Sequence, residues 1–197
     1  MLLICNLIFN QMKIISTNTY EIRFNDDGYC HLIEQIKSKS YTKIFVLVDE
    51  NTKQYCLNPF KKKLSISFEI LEIKSGETNK NINTCVGIWN DLTHNGADRN
   101  CLIINLGGGV ITDMGGFIAS TYKRGVDFVN IPTTLLSMVD ASIGSKTGIN
   151  LNSIKNQIGL FSDPSMVIID TTYLKTLSKR EINSGYSEIF KHSVISS

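Results

Sequence analysis

A short apolar run that ends in three consecutive glycines is the feature that most constrains how this chain can fold. Residues 101–106 read CLIINL, and Gly107-Gly108-Gly109 follows directly. A short apolar segment closed by a breaker is typical of a buried strand, and glycines let the backbone turn sharply and approach a ligand. If a helix begins at this turn, its free N–H groups and positive dipole end favour a phosphate. The run therefore predicts a strand, a turn and a helix around an anion-binding position.

The glycine motif alone leaves two interpretations open. Gly-x-Gly is present, but Thr112 occupies the sixth position, where a complete dinucleotide fingerprint has glycine. Taken by itself, the motif fits a structural turn as well as a nucleotide site. Charged and amide side chains nevertheless follow near predicted strand ends, which is where α/β proteins place their chemistry.

Apolar runs alternate with helix-compatible segments on both sides of this turn. The predicted strands are 43–48, 67–73, 101–106, 128–131 and 166–169, with one or two edge strands in 13–24. The predicted helices are 28–38, 52–64 with a break near Pro59, 81–93, 135–142, and a helical region from 174 to 194. This alternation predicts a Rossmann-like parallel sheet flanked by helices, with ligands at the carboxyl ends of its strands.

Composition excludes several classes of protein. The net charge of +2 is too small to indicate a nucleic-acid or membrane-surface partner, and no stretch reaches the roughly 20 apolar residues of a membrane span. Five scattered cysteines without a Cys-x-x-Cys pair favour neither a disulfide framework nor a cysteine zinc site, and they suit the cytoplasm. Met12 opens an alternating strand-like pattern, so residues 1–11 are interpreted as an N-terminal extension.

Several polar residues at predicted strand ends have both a structural and a functional interpretation. Asp49 can accept hydrogen bonds from a ribose or cap a helix. Asp113, expected in the first turn after the glycines, can simply stabilise that helix N-terminus. Thr133 and Thr134 can bond a pyrophosphate or cap the next helix. The stretch from Glu77 is by itself only a polar loop.

A second group of residues describes an anion pocket. Asp140 lies in an apolar helix, where a carboxylate is costly unless it is paired or bound to a ligand. Lys146, in a Gly-Ser-Lys-Thr-Gly loop, offers a point charge to an anionic substrate, and Lys155 with Asn156 adds a cation and an amide. Arg124 offers two donors for a phosphate.

The last charged group falls on the C-terminal helical region. Glu188 and His192 are spaced i,i+4, and Glu188 and Lys191 are spaced i,i+3. Such pairs are often surface contacts worth about 0.2–0.5 kcal/mol each. A carboxylate and an imidazole one turn apart can also share a metal ion.

Taken together, these motifs resemble the 3-dehydroquinate synthase family of the sugar-phosphate cyclase superfamily. The resemblance rests on GGGVITDMGGF, YKRG, IPTTLLSMVDASIGSKTGIN, KNQIGLF and SGYSEIFKH, in this order from about residue 43 onward. It implies that NAD contacts the following residues: Asp49, Glu77, Lys80, Gly108, Gly109, Val110, Asp113, Thr133, Thr134 and Lys155. It implies substrate contacts at Asp140, Lys146, Asn156, Lys191 and Arg124, the last one from the partner subunit of a homodimer. Glu188 matches the zinc-ligand glutamate, and another divalent metal such as Co²⁺ is an alternative to Zn²⁺.

The resemblance also implies a reaction. The family converts 3-deoxy-D-arabino-heptulosonate 7-phosphate to 3-dehydroquinate and phosphate in the shikimate pathway, with NAD as a transient oxidant and the metal as a Lewis acid. Three alternatives are another sugar-phosphate cyclase, a polyol dehydrogenase, and a noncatalytic NAD-binding remnant. We expect residues 12–175 to form the NAD-binding domain and residues 176–197 to begin a truncated helical metal domain. Because the family's two zinc histidines lie further along, we expect the chain alone to be weakly active or inactive.

Overall fold

A computed structural model describes residues 14–195 of the 197-residue chain. The proposed extension, residues 1–11, and the proposed start at Met12 lie outside the described residues. The strands, in chain order, are β1 (Ile14–Ser16), β2 (Glu21–Phe24), β3 (Ile44–Asp49), β4 (Glu69–Ile73), β5 (Leu102–Gly107), β6 (Asp127–Pro132), β7 (Lys146–Leu151), β8 (Ile154–Phe161) and β9 (Met166–Ile169).

Six α-helices accompany these strands in the described part of the chain. They are α1 (Asn25–Lys39), α2 (Glu50–Tyr55), α3 (Leu57–Lys63), α4 (Ile82–His94), α5 (Gly109–Thr121) and α6 (Lys179–Ile195). Short 3-10 helices span Glu77–Asn79, Tyr122–Arg124 and Thr171–Thr176, and a π-helical turn spans Ser137–Ala141. None of the helices within residues 14–195 is long and apolar enough to cross a membrane.

Seven of the strands form one sheet in the order β1-β2-β9-β6-β5-β3-β4. Every neighbouring pair is parallel except β1 and β2, which are antiparallel. The predicted Rossmann-like sheet is therefore confirmed. Strand β1 is an edge strand within residues 13–24, as expected, although its antiparallel pairing with β2 was not predicted.

The apolar runs of the central strands bury both faces of the sheet. Along β3, Val46 and Val48 face a core shared with α1 and α3, while Phe45 and Leu47 face a core shared with α4 and α5. Strands that are buried on both faces read as continuous apolar runs because successive side chains point to opposite sides. This explains why β3 and β5 were recognisable without polar alternation.

The connections place a crevice at the carboxyl ends of β3 and β5. The chain passes from β3 to β4 on one side, and from β4 it crosses back to β5 on the other side of β3. Ligands of open α/β sheets bind outside the carboxyl ends of the strands at such a reversal. Asp49 ends β3 and Gly107 ends β5, so both lie at this crevice.

Three local predictions were wrong in detail. The break within 52–64 lies at Cys56, because Pro59 falls in the first turn of α3, where its missing N–H has no intrahelical acceptor to lose. Lys146 is the first residue of β7 rather than part of a loop, since β7 and β8 form an antiparallel hairpin that was not predicted. Asp113 is the fifth residue of α5, so it lies beyond the first turn.

Candidate active site

The glycine turn connects β5 to α5 as the sequence predicted. Gly108 is the N-cap of α5 and supplies no side-chain cap, so the N–H groups of the first turn have no intrahelical partner. A Cβ at Gly108 would lie 2.9 Å from Cγ2 of Thr134. A larger residue would therefore close the space between the turn and the segment after β6. The first turn, with Gly109 and Val110, is free to face an anion.

Residues after the neighbouring strands serve as structural caps. Oδ1 of Asp49 accepts a hydrogen bond from the Thr52 N–H at 2.7 Å, and the Asp49 N–H donates to Oγ1 of Thr52 at 2.9 Å. Together these two bonds form a capping box on α2. The Thr134 hydroxyl accepts from the Ser137 N–H at 3.2 Å. The N–H of Thr133 donates to the Gly107 carbonyl at 3.0 Å and ties the β6 end to the turn. The capping alternatives for Asp49 and Thr134 are thus present in the structure.

Lys80 is the centre of a polar network beside the turn. Its side chain is only 3% exposed, and Nζ lies 2.5 Å from Oδ2 of Asp113 and 2.6 Å from Oδ1 of Asn156. A buried ammonium needs such a partner because desolvation of an unpaired charge is costly. Three predicted site residues, separated by up to 76 positions, therefore meet at one point.

Asp113 has an unusual electrostatic environment. Burial raises the pKa of its carboxyl, the Lys80 ammonium lowers it, and the charges of Glu77 and Asp140 raise it, so that the pKa lies above its ordinary value. Asp113 therefore feels opposing effects from Lys80 and from two carboxylates. Perturbed titratable groups in a crevice are typical of functional sites.

Asn150, at the end of β7, is a residue of this network that the sequence reasoning missed. Its Nδ2 donates to Oε1 of Glu77 at 2.9 Å, and its Oδ1 accepts from the Asn156 N–H at 2.8 Å. Its backbone N–H donates to the Lys80 carbonyl at 2.9 Å. The only signal in the sequence was its place between two apolar residues next to the polar turn of an unrecognised hairpin.

A second cluster forms where α6 meets the π-helical turn. A Cβ at Gly185 would lie 2.5 Å from the Leu135 side chain, so glycine allows α6 to pack closely against the segment after β6. One turn further, Glu188 forms an ion pair with Lys191, and Nε2 of His192 lies 3.0 Å from Oδ1 of Asp140. The hydrogen bond from Lys191 to Glu188 raises the pKa of Lys191 above its ordinary value.

This second cluster has the donor set of a metal site. One ligand atom each from Asp140, Glu188 and His192 lies within 4.8 Å of the others. Carboxylate oxygens and an imidazole nitrogen are ligands that Zn²⁺ accepts. The i,i+4 interpretation of Glu188 and His192 is therefore geometrically possible, and Asp140 adds a third donor that the sequence reasoning assigned only to substrate.

Within the described residues, the side chains of Arg124, Lys146 and Lys155 make no hydrogen bond to either cluster. Arg124 follows the C-terminus of α5, a helix of 13 residues that starts at the glycine turn, so it lies about 20 Å away at the opposite end of the sheet. Lys146 and Lys155 are exposed on the β7–β8 hairpin, and neither forms an ion pair within residues 14–195. Lys155 lines a shallow groove with Glu77 and Asn150.

Comparison with known proteins gives these clusters a context. The chain is 47% identical over 165 residues to the 3-dehydroquinate synthase of Parabacteroides distasonis, which covers 82% of this chain and 46% of that protein. The chain spans about half the length of the curated relatives it matches.

Solved structures of related cyclases share the fold. A 2-deoxy-scyllo-inosose synthase, complexed with carbaglucose-6-phosphate, NAD⁺ and Co²⁺, superposes with a TM-score of 0.77 at 25% identity, over 88% of this chain and 49% of that one. The 2-epi-5-epi-valiolone synthase of Streptomyces hygroscopicus, with NAD⁺ and Zn²⁺ bound, gives 0.73 at 26% identity, over 91% and 50%. A family model described as 3-dehydroquinate synthase N-terminal matches residues 70–184, which is more than half of the chain. The chain belongs to this 3-dehydroquinate synthase N-terminal family.

Proposed function

We propose that this chain is the NAD-binding part of a 3-dehydroquinate synthase. The whole enzyme would convert 3-deoxy-D-arabino-heptulosonate 7-phosphate to 3-dehydroquinate and phosphate in the shikimate pathway. The observation that carries the proposal is the buried ammonium of Lys80, which bonds Asp113 and Asn156 beside a glycine turn at the carboxyl ends of the strands. Its relatives of 40–50% identity bear that enzyme's name.

The residues at the crevice fit a dinucleotide. The uncapped first turn of α5, from Gly108 to Val110, offers N–H donors to a pyrophosphate. The Oδ2 atom of Asp49 takes no part in the capping bonds of α2, so it remains available to a ribose hydroxyl. Bound NAD⁺ would supply reversible hydride transfer to and from a substrate hydroxyl. We assign cofactor contacts to these residues together with Glu77, Lys80, Asp113, Thr133, Thr134 and Lys155.

The cluster on α6 fits a divalent metal, either Zn²⁺ or Co²⁺. Glu188 would bind the ion, while Asp140 and His192 present oxygen and nitrogen atoms at compatible spacing. The ion would polarise a substrate oxygen. Lys191, now paired with Glu188, would be released to contact the anionic substrate. We expect Co²⁺ to bind the chain with a visible absorption spectrum, and Glu188→Gln to abolish that spectrum while the CD spectrum is unchanged.

The substrate phosphate requires cations. Lys146 and Asn156 lie on the hairpin, and Asp140 lies between the cofactor network and α6, where its charge influences Asp113. By the length of α5, Arg124 lies about 20 Å from the glycine turn and does not reach a ligand bound there. We therefore propose that Arg124 acts on the site of the partner subunit in a homodimer. Sedimentation of the full enzyme as a monomer would contradict this role.

We also propose a domain boundary near residue 175. Neither apolar core includes a residue beyond Leu174 within the described range, and α6 exposes Phe190 and Ile195. We infer that residues 176–197 begin a second, helical domain. Limited proteolysis should then cut first between Thr176 and Lys179. The four cysteines in the described residues are free, which agrees with the cytoplasmic location we propose.

The first test of this function is NAD⁺ binding by the chain itself. Calorimetric titration should detect binding, and Asp113→Asn should weaken it because Lys80 loses its charged partner. Lys37→Met, which removes an exposed lysine on α1, is the matched control and should bind as the wild type does. Wild-type protein that is folded but binds no NAD⁺ would refute the proposal.

A second assay separates the alternatives. Incubation with the heptulosonate phosphate, NAD⁺ and Zn²⁺ should release phosphate without net NADH if the site is that of a synthase. Net NADH from a polyol would indicate a dehydrogenase, and phosphate from another sugar phosphate would indicate a different cyclase. For this chain alone we expect NAD⁺ binding with weak or no turnover.

A further inference from the structure

We propose that Asn150 is a positioning residue that fixes Lys80 between the cofactor and substrate sides of the site. This inference rests on the proposed function and deepens it. The two segments concerned are residues 77–80, called the cofactor loop, and the part of β8 around Asn156. They belong to different elements, and β7 lies between them in contact with both.

Asn150 uses both polar atoms of its side chain and its backbone N–H in this contact. Nδ2 donates to Glu77 twice, at 2.9 Å to Oε1 and at 3.2 Å to the backbone carbonyl. Oδ1 accepts from the Asn156 N–H at 2.8 Å, and the backbone N–H of Asn150 donates to the Lys80 carbonyl at 2.9 Å. One side chain therefore spans the cofactor loop and β8.

The orientation of the amide is determined by its partners. The Asn156 N–H can only donate, while the carbonyl and carboxylate of Glu77 can only accept. Rotating the amide by half a turn would break these bonds and place like groups against each other. Asparagine is thus the residue type that satisfies both sides, because aspartate offers only acceptors and leucine offers neither group.

The bonds close a ring around Lys80. Asn150 holds the Lys80 backbone, Lys80 Nζ bonds the Asn156 side chain, and the Asn156 backbone returns to Asn150. Lys80 is consequently fixed at its backbone and at its ammonium, and the ammonium faces Asp113 at 2.5 Å. Asn150 itself needs no contact with either ligand to influence both.

An irregularity in the hairpin directs Asn150 to this position. The pairing of β7 with β8 passes from Ile149 opposite Ile158 to Leu151 opposite Ile154, so the register shifts at Asn150. Asn156 has a φ of 52°, which is uncommon for a residue other than glycine. Bulges of this kind redirect a side chain and interrupt strand pairing. Here the interruption frees Asn150 and the Asn156 N–H to bond each other.

The test is a polarity swap measured by NAD⁺ titration of the full chain. Asn150→Asp keeps the acceptor for Asn156 but turns an acceptor toward Glu77. We expect the Kd for NAD⁺ to rise about tenfold or more, the size of a lost hydrogen bond to a charged group. Adding Glu77→Gln to N150D restores a hydrogen bond of opposite direction, in which the glutamine amide at position 77 donates to the aspartate at position 150. The double variant should then return to within about threefold of E77Q alone.

The controls separate positioning from general stability. Asn90→Asp makes the same chemical change on an exposed face of α4 and should leave the Kd unchanged. Urea unfolding of each variant shows that the titrated protein is folded. The role of Asn150 would be overturned, with the proposed function intact, by either of two results. One is a double variant whose loss of NAD⁺ affinity equals the sum of the two single losses, and the other is N150D binding NAD⁺ as the wild type does. Wild-type chain that binds no NAD⁺ would refute the proposed function and this role with it.

Discussion

Gly115, in the middle of α5, offers a quantitative test of how closely this helix packs against the sheet. A Cβ at this position would lie 2.0 Å from Oδ1 and 2.5 Å from Cγ of Asn105, which is fully buried in β5. Asn105 cannot simply move away, because its Nδ2 donates to Oδ1 of Asn130 on β6 at 2.9 Å. Its Oδ1 already lacks a partner within the described residues.

We expect Gly115→Ala to destabilise the protein by about 1–5.5 kcal/mol. Alanine favours a helix over glycine by roughly 0.5–1 kcal/mol. Against this gain, overpacking of a buried site costs about 1–3 kcal/mol, and losing the Asn105–Asn130 bond costs about 1–3 kcal/mol. The balance is unfavourable throughout these ranges.

Gly87→Ala on α4 is the matched control, because a Cβ there meets no heavy atom within 4 Å. It should stabilise the protein by about 0.5–1 kcal/mol from helix propensity alone. Urea unfolding followed by CD gives both values. Adding Asn105→Ala to G115A should cost less than the sum of the single changes, because it removes the clash. A G115A protein as stable as G87A would refute the argument.

Three further predictions concern the single residues Cys30, Asp170 and Gly185. Among the four cysteines of the described residues, Cys30 is exposed, whereas burial raises the pKa of Cys56 to about 11, of Cys85 to about 12 and of Cys101 to about 11. In a Cys5→Ser background, a thiol reagent at pH 8 should therefore modify Cys30 first in folded protein, and adding Cys30→Ser should remove the fast phase. Burial acts to raise the pKa of Asp170, but hydrogen bonds from Lys63 and Thr172 outweigh it and hold the pKa below its usual value. The ionised Asp170 carboxylate stabilises the folded protein above the unfolded pKa of about 3.9, and this stabilisation is lost as the pH falls through the lower folded pKa. The difference in unfolding free energy between wild type and Asp170→Asn, measured by urea unfolding, should therefore shrink below about pH 4. Gly185→Ala should weaken Co²⁺ binding measured by absorption, because a Cβ 2.5 Å from Leu135 pushes α6 away from Asp140, and equal Co²⁺ affinity would contradict this packing argument.

The sequence was sufficient where a structure depends on neighbouring residues. The strand, turn and helix from residue 102 to residue 121 follow from one apolar run and three glycines. The alternation of strands with helices also indicated a parallel sheet, but the order of its strands was not predicted. By contrast, the break at Cys56 was misplaced because proline was treated as a breaker at a position where a helix tolerates it.

The hairpin of β7 and β8 was missed although a weak signal existed. Thr147 and Ile149 are buried in β7, Ile158 and Leu160 pack against the same core from β8, and Asn152 occupies the connecting turn with a φ of 53°. Asparagine with positive φ is typical of tight hairpin turns. The alternation was hidden because two glycines and two lysines interrupt the segment.

The site residues come together through contacts between distant parts of the chain, and no local sequence pattern predicts such contacts. Asp113 was assigned to a helix N-terminus, yet it is paired with a lysine 33 residues earlier in the chain. The cofactor loop that carries this lysine is bonded by Asn150 from the β7–β8 hairpin, which itself packs against α4 and α5. Similarly, the spacing of Glu188 and His192 left surface contacts and a shared metal ion as alternatives. Asp140 lies near both residues because Gly185 lets α6 approach the segment after β6. The local sequence therefore indicates which chemical groups belong to the site. The distances between those groups depend on contacts such as those of Asn150 and Gly185. The roles of these two residues can be recognised only in the folded structure.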